Sequence, residues 1–258
     1  MGTIMIGTSG YSYTDWVGPF YPEGSTNETF LEYYSTHFST VELNFSYYRM
    51  PVASQLKAMR EVSKDLSFSL KAHQSLTHQI VPAEWRQKAK TLRLALEPLL
   101  ETNALKTLLL QFPFSFHYAV EQRRYLDALL RYLDGLPLAV EFRHSQWYNN
   151  RTIEALRERQ VALVALDLPN IANLPPLIDI VTAPFAYLRL HGRNQQQWWG
   201  SDAARRYDYL YSPQELAAIA ERVRSLAATA PLTLVYFNNH RGGQAVDNAL
   251  TLKGLIDG

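Results

Sequence analysis

Eight short apolar or β-branched runs, alternating with amphipathic segments, predict an α/β fold of the (β/α)8 TIM-barrel type, built as a single domain over residues 1–258. Three observations carry this expectation. The runs number eight, the segments between them present one apolar face at helical spacing, and the connections that follow the runs are longer and more aromatic than those that precede them. Such alternation requires parallel strands with right-handed crossovers, and eight units in a chain of this length favour a closed barrel over an open sheet.

The first run covers 3–7. Gly7-Thr8-Ser9-Gly10 leads on to Tyr11, Tyr13 and Trp16 instead of a helix, unlike the glycine fingerprint of an open dinucleotide-binding sheet. Ser25-Thr26-Asn27-Glu28 can cap the first helix, whose face is Phe30, Leu31, Tyr34 and Phe38. Strands follow at 40–44, 67–72, 105–111, 138–142 and 161–167. The returns from helix to strand are short, as at Lys64-Asp65-Leu66, Thr102-Asn103-Ala104 and Asp134-Gly135-Leu136-Pro137. Between the sixth strand and the seventh, at 185–190, Pro169, Pro175, Pro176 and Pro184 oppose a regular helix, so an irregular connection is expected. Ser212-Pro213-Gln214-Glu215 opens a helix with Leu216, Ile219, Ala220, Val223 and Leu226 on one face, and the eighth strand covers 232–238.

Composition removes several function classes. With no cysteine there are no disulfides, thiolate-held metals or thiol nucleophiles. A formal net charge of +1 gives no global electrostatic footprint for nucleic acid. No run is long enough to span a membrane, and the start, Met1 to Gly7, reads as a strand instead of a secretory signal, so a soluble, cytoplasmic protein is expected.

Side chains two apart share a strand face, and near the carboxyl end of a barrel strand the inward set reaches the active-site mouth. This phase singles out Glu42 and Asn44, Lys71 and His73, Glu141 and Arg143, Arg189 and His191, and Asn238, with Gln111 and Asp167 as further candidates. Long loops add Tyr11, Trp16 and Trp147, and Asn239 follows Asn238. Glu42 and Glu141 suit acid/base work, Lys71 charge stabilisation and His191 proton transfer; Tyr11, Trp16, Asn44, His73, Arg143, Trp147, Arg189, Asn238 and Asn239 suit substrate binding. The bland alternative is a structural network in which Glu42, Glu141 and Asp167 neutralise Lys71, Arg143 and Arg189. Glu42, His73, Glu141, Asp167 and His191 have metal-ligand chemistry, but the interleaved cations argue against a metal, and no cofactor is indicated. A glycosidase role for Glu42 and Glu141 depends on their separation, which sequence does not give, and a G-x-S-x-G elbow is absent.

Nearly end to end, these elements resemble the bacterial and archaeal family called domain of unknown function 72. They include Gly7-Thr8-Ser9-Gly10-Tyr11 with Trp16, Val41-Glu42 with Asn44, Gln111-Phe112-Pro113, Val140-Glu141-Phe142-Arg143 with Trp147, Tyr187 with Arg189 and His191, and Phe237-Asn238-Asn239. The resemblance implies a TIM barrel and no established reaction. The leading functional expectation is an enzyme acting on a small polar or anionic, phosphate- or sugar-like metabolite at the C-terminal face. The alternative is a non-catalytic ligand or nucleic-acid binding module using the same basic and aromatic pocket. An anion is further expected where His191-Gly192-Arg193 meets Asn238-Asn239-His240-Arg241-Gly242-Gly243. Whether the protein is catalytic at all, and its oligomeric state, are not legible in the sequence.

Overall fold

The computed structural model describes residues 2–63 and 65–258; Met1, and Lys64 in the expected link before the third strand, lie outside them. The strands are β1 (Thr3–Thr8), β2 (Thr40–Leu43), β3 (Ser67–Lys71), β4 (Leu105–Gln111), β5 (Leu138–Glu141), β6 (Ala162–Leu163), β7 (Ala165–Asp167), β8 (Phe185–Leu190) and β9 (Leu232–Phe237). All pairings are parallel, in the orders β2-β3-β4-β5-β6 and β7-β8-β9-β1. β6 and β7 are the two halves of the predicted sixth strand. The first half pairs with β5, Val164 N still donates to Val140 O at 3.0 Å, and the second half pairs with β8.

On the opposite side the two sheets meet through a bridge from Ser9 to Glu42, with Gly10 N donating to Glu42 O at 2.7 Å. Gly7 permits that approach, since a β-carbon there would lie 2.2 Å from Thr40 O. A TIM-type barrel results, with strand neighbours in chain order.

The helices are α1 (Asn27–Ser35), α2 (Phe45–Tyr48), α3 (Ala53–Val62), α4 (Trp85–Ala95), α5 (Glu97–Glu101), α6 (Val120–Tyr132), α7 (Asn150–Glu158), α8 (Ala203–Arg206), α9 (Pro213–Thr229) and α10 (Gln244–Asp257), the short α2 and α8 lying in the loops after β2 and β8 and the others forming the outer layer. No helix or strand lies between Asp167 and Phe185, as the four prolines require. Ser212 and Glu215 form the expected capping box. At α1 the cap shifts by one residue from the expected Ser25 and Glu28: the helix starts at Asn27, so Thr29 is third in it and accepts from Thr26 N at 3.2 Å. Among the described residues no helix is long and apolar enough to cross a membrane.

Two cores follow from strand phase. Leu109, Ala139, Val164, Leu166, Phe185 and Leu234 fill the barrel interior, while Val41, Phe68, Leu108, Val140 and Leu188 pack against the helices. Higher in the interior the side chains turn polar. Tyr236 shares hydrogen bonds with Thr40 Oγ1 at 2.6 Å and Ser69 Oγ at 2.9 Å, and just above them the charged residues begin.

Candidate functional site

Arg189, from β8, stands in the middle of the barrel and is 1% exposed. Its Nη1 donates to Glu141 Oε2 at 2.6 Å, and its Nη2 donates to Glu42 Oε1 at 2.6 Å and Ser9 Oγ at 3.0 Å. Glu42 also accepts from Ser9 Oγ and from Tyr187 OH, the latter at 2.6 Å. Glu141 accepts from Arg143 Nε, and His191 Nε2 lies 3.4 Å from its Oε1. Both carboxylates are fully buried, a placement that is tolerable because each meets several donors.

The electrostatics follow from this packing. Burial alone would raise the Glu141 carboxyl, yet Arg143 and Arg189, with help from His191, hold it well below the usual carboxylate range. Burial and the adjacent Arg143 guanidinium push His191 down to about 3, so the ring is neutral near pH 7. Its Nδ1 sits 3.0 Å from the Asn238 amide nitrogen, and its Nε2 lies 3.4 Å from both Glu141 Oε1 and Arg143 Nη2. An ionised Glu141 under two guanidinium groups orients cations and is a poor proton donor. Glu42 and Glu141 are both bound to the Arg189 guanidinium and neither lines the cavity, unlike a glycosidase pair, which flanks its sugar.

Above this floor opens a cavity of about 550 Å³, lined by Asn44, Lys71, Gln111, Arg143, Arg189 and Asn238 from the strand ends. Tyr13, Tyr47, Tyr48, Phe114, Trp198 and Tyr207 form aromatic walls, and His78, Arg206 and His240 add to the rim. Among the described residues four cations line the cavity and no carboxylate does. Lys71 has no carboxylate within ion-pair distance among the described residues; its ammonium lies 4.1 Å from the centre of the Tyr47 ring. Desolvation, followed by the nearby Arg189, lowers it to about 7. Lys71 and Arg143 push His78, already lowered by burial, to about 4. Tyr207 accepts from Arg143 Nη2 at 3.4 Å, and that cation outweighs burial to lower the phenol. The buried Asn44 Oδ1 and Arg189 Nε have no partner.

The strand-phase residues Glu42, Asn44, Lys71, Glu141, Arg143, Arg189, His191 and Asn238 therefore meet in one assembly, and Gln111 joins them. Others do not reach the cavity. Asp167 faces the helical layer, because Val164 and Leu166 take the inward phase; it accepts from Arg193, Arg222 and Tyr211. The proposed neutralisation by three carboxylates therefore holds for Arg143 and Arg189 and leaves Lys71 out. His73 caps the turn after β3 by accepting from Ser75 N. Trp147 stacks between Phe116 and Phe142, and Trp16 packs behind Tyr13 with its Nε1 on His240 O. Tyr11 lies against Tyr34, and the Asn239 amide holds Tyr209 O and Asn248. In the loops expected to hold an anion, Arg193 pairs with Asp167 and Glu215, Arg241 pairs with Asp208, and Gly242 N donates to Asp15. These pairs engage Arg193 and one terminal nitrogen of Arg241, whereas Lys71 in the cavity has no ion pair among the described residues. Among the described residues no three His, Asp or Glu side chains gather in a metal-binding arrangement.

Ser9, Tyr187, Tyr207, Tyr47 and His78 belong to the site but were not among the residues to which the sequence assigned a role there. Tyr187 lies two residues before Arg189 and was open to the same phase rule; the loop residues carried no such signal.

An unpaired lysine is destabilising, and pH exposes it. The unfolded lysine titrates near 10.4 and the folded one about 7, so between these values the unfolded chain holds a proton the native chain has shed. Stability therefore rises with pH across that window. Lys71→Met is expected to be more stable at pH 7 by about 2 kcal/mol, with the gain closing toward pH 10. Urea denaturation at several pH values checks this, and a loss at pH 7 would refute it.

Residues 5–258 match the family model described as protein of unknown function DUF72. The UPF0759 protein YunF of Bacillus subtilis is 29% identical, over 98% of this chain and 95% of its own length. A solved DUF72 family protein from Thermotoga maritima matches with a TM-score of 0.90 at 38% identity, covering 99% of both chains. Another, from Enterococcus faecalis, gives 0.87 at 28% identity, covering 99% of this chain and 96% of that one. A D-psicose 3-epimerase reaches a TM-score of 0.52 at 10% identity over 91% of this chain and 95% of its own, a likeness of fold alone.

Proposed function

We propose that this chain, which belongs to the DUF72 family of proteins of unknown function, is an enzyme that binds a small anionic metabolite in the cavity at the carboxyl ends of its strands. One observation carries the reading: among the described residues the cavity is lined by four cations and no carboxylate, and Lys71 has no ion-pair partner. Arg143 is held by Glu141 through Nε and reaches Tyr207 through Nη2, which leaves Nη1 for a phosphate or carboxylate. The unpartnered Asn44 Oδ1 suits a ligand hydroxyl. The aromatic walls suit a compact organic body, sugar-like or otherwise.

Glycerol 3-phosphate, glucose 6-phosphate and citrate at millimolar concentration are expected to raise the melting temperature, while uncharged glycerol and glucose leave it unchanged. Lys71 is charged below about pH 7 and loses its charge above, so the response weakens as pH rises from 6 to 8. Lys71→Arg removes that pH dependence. Absence of a shift with every anion, beside a shift with a neutral sugar, would overturn the reading. Tighter binding of a single-stranded oligonucleotide than of any small anion, with steep salt dependence, would favour a nucleic-acid module.

A further inference from the structure

Among the four cations of the cavity, Lys71 alone can lose its proton under ordinary conditions, because a guanidinium stays charged. It sits at the last residue of β3, paired in register with Leu109, so its backbone is fixed by the sheet on that side. The face of Tyr47 covers one side of the ammonium, and no carboxylate competes for it among the described residues. Arg143 and Arg189 stand near enough to favour the neutral amine, and Arg143 is placed to hold an anionic group beside it. A lysine kept only for its charge would be better served by a carboxylate partner or by arginine.

We infer that Lys71 is a nucleophile that forms an imine with the carbonyl group of an anionic aldehyde, ketone or 2-oxo acid bound in this cavity. The inference rests on the anion-site reading above and names the substrate class. The neutral ε-amine adds its lone pair to the carbonyl carbon, the C=O π pair moves to oxygen, and the carbinolamine forms. Protonation of that oxygen, by solvent or by a cavity phenol such as Tyr207, lets it leave as water while nitrogen forms the C=N bond. One proton is taken up per iminium and one water released, with no change in oxidation state. Lysine activated by desolvation and a neighbouring cation is the environment this chemistry requires.

Borohydride trapping on the full-length protein tests it. The chain is incubated separately with glyoxylate, dihydroxyacetone phosphate and pyridoxal 5′-phosphate between pH 6 and 9, reduced, and mapped by peptide mass. The hydride reduces the C=N bond, so the adduct adds the mass of the carbonyl compound less one oxygen. At pH 7 labelling of Lys71 is expected to be at least about tenfold faster than at any surface lysine, since those are almost wholly protonated. Its rate should rise with pH through about 7, opposite in sign to the anion response. Lys71→Arg should lose the adduct.

Adducts confined to surface lysines such as Lys57 or Lys88, or labelling of Lys71 that merely follows theirs up to pH 9, would overturn the imine. If anions shift the melting temperature and none of the three compounds is trapped at Lys71, the imine falls and the anion site stands. If propionaldehyde is trapped there as readily as glyoxylate, and no anion shifts melting, the amine is reactive but the anion site is wrong.

Discussion

Arg189→Met is expected to cost about 3–5 kcal/mol of folding stability, a large fraction of what a domain has. Arg189 is the common counter-ion of Glu42 and Glu141 at 2.6 Å each. Methionine can fill much of the same volume while leaving two buried carboxylates short of positive charge. Glu42 would retain Ser9 and Tyr187, and Glu141 would retain Arg143. The pH dependence gives the sign. Arg189 helps to hold the wild-type Glu141 carboxyl well below the usual range, so its loss lets that carboxyl rise, and the variant's deficit against wild type should shrink as pH falls into the acid range and Glu141 takes up a proton. Adding Glu42→Gln should recover part of the loss at pH 7. Urea denaturation of the three proteins measures all of this. A loss below about 1 kcal/mol would mean that the cluster is not what stabilises the top of the barrel.

Much of that cluster was legible in the sequence, because a barrel strand converts residue spacing into direction. Glu42, Lys71, Glu141, Arg189 and Asn238 lie at the carboxyl ends of five strands, and period-two alternation sends all five inward. The rule fails where the strand ends or the phase is misjudged. Asp167 is one residue out of step with Val164 and Leu166 and so reaches Arg193 and Arg222 outside the barrel. His73 is two residues beyond Lys71, but the chain has already turned, and its ring binds its own loop. For the aromatic loops there is no period at all. Trp16, Trp147 and Tyr13 have the same composition signal, yet only Tyr13 reaches the cavity, because its loop folds over Ser9, whose carbonyl accepts from its hydroxyl at 2.9 Å. The loop arginines misled for another reason: Arg193 and Arg241 look available in sequence, and only the fold shows that Asp167 and Asp208 reach them.

Glu141→Gln should separate what Glu141 does for folding from what it does for the cavity. The substitution keeps shape and removes one charge beneath Arg143 and beside Arg189, a loss of about 3 kcal/mol in stability, since Arg189 still has Glu42 and Arg143 keeps no carboxylate. A wild-type carboxyl held well below the usual range stabilises the native state above the unfolded pKa and ceases to do so as pH falls, so the gap between variant and wild type should narrow in acid. At the ligand level the outcome runs the other way. Arg143, released from its counter-ion, should bind glycerol 3-phosphate more tightly, by about 1 kcal/mol or a several-fold lower Kd. Glu141 also holds the Lys71 proton in place, so its removal should move the pH midpoint of Lys71 labelling below 7. Calorimetric titration and the trapping profile read the two effects independently of stability. Were Glu141 instead the proton-transferring group, the variant would leave anion affinity and the Lys71 midpoint where they are and lose only turnover, and that result would return the acid/base role to this carboxylate.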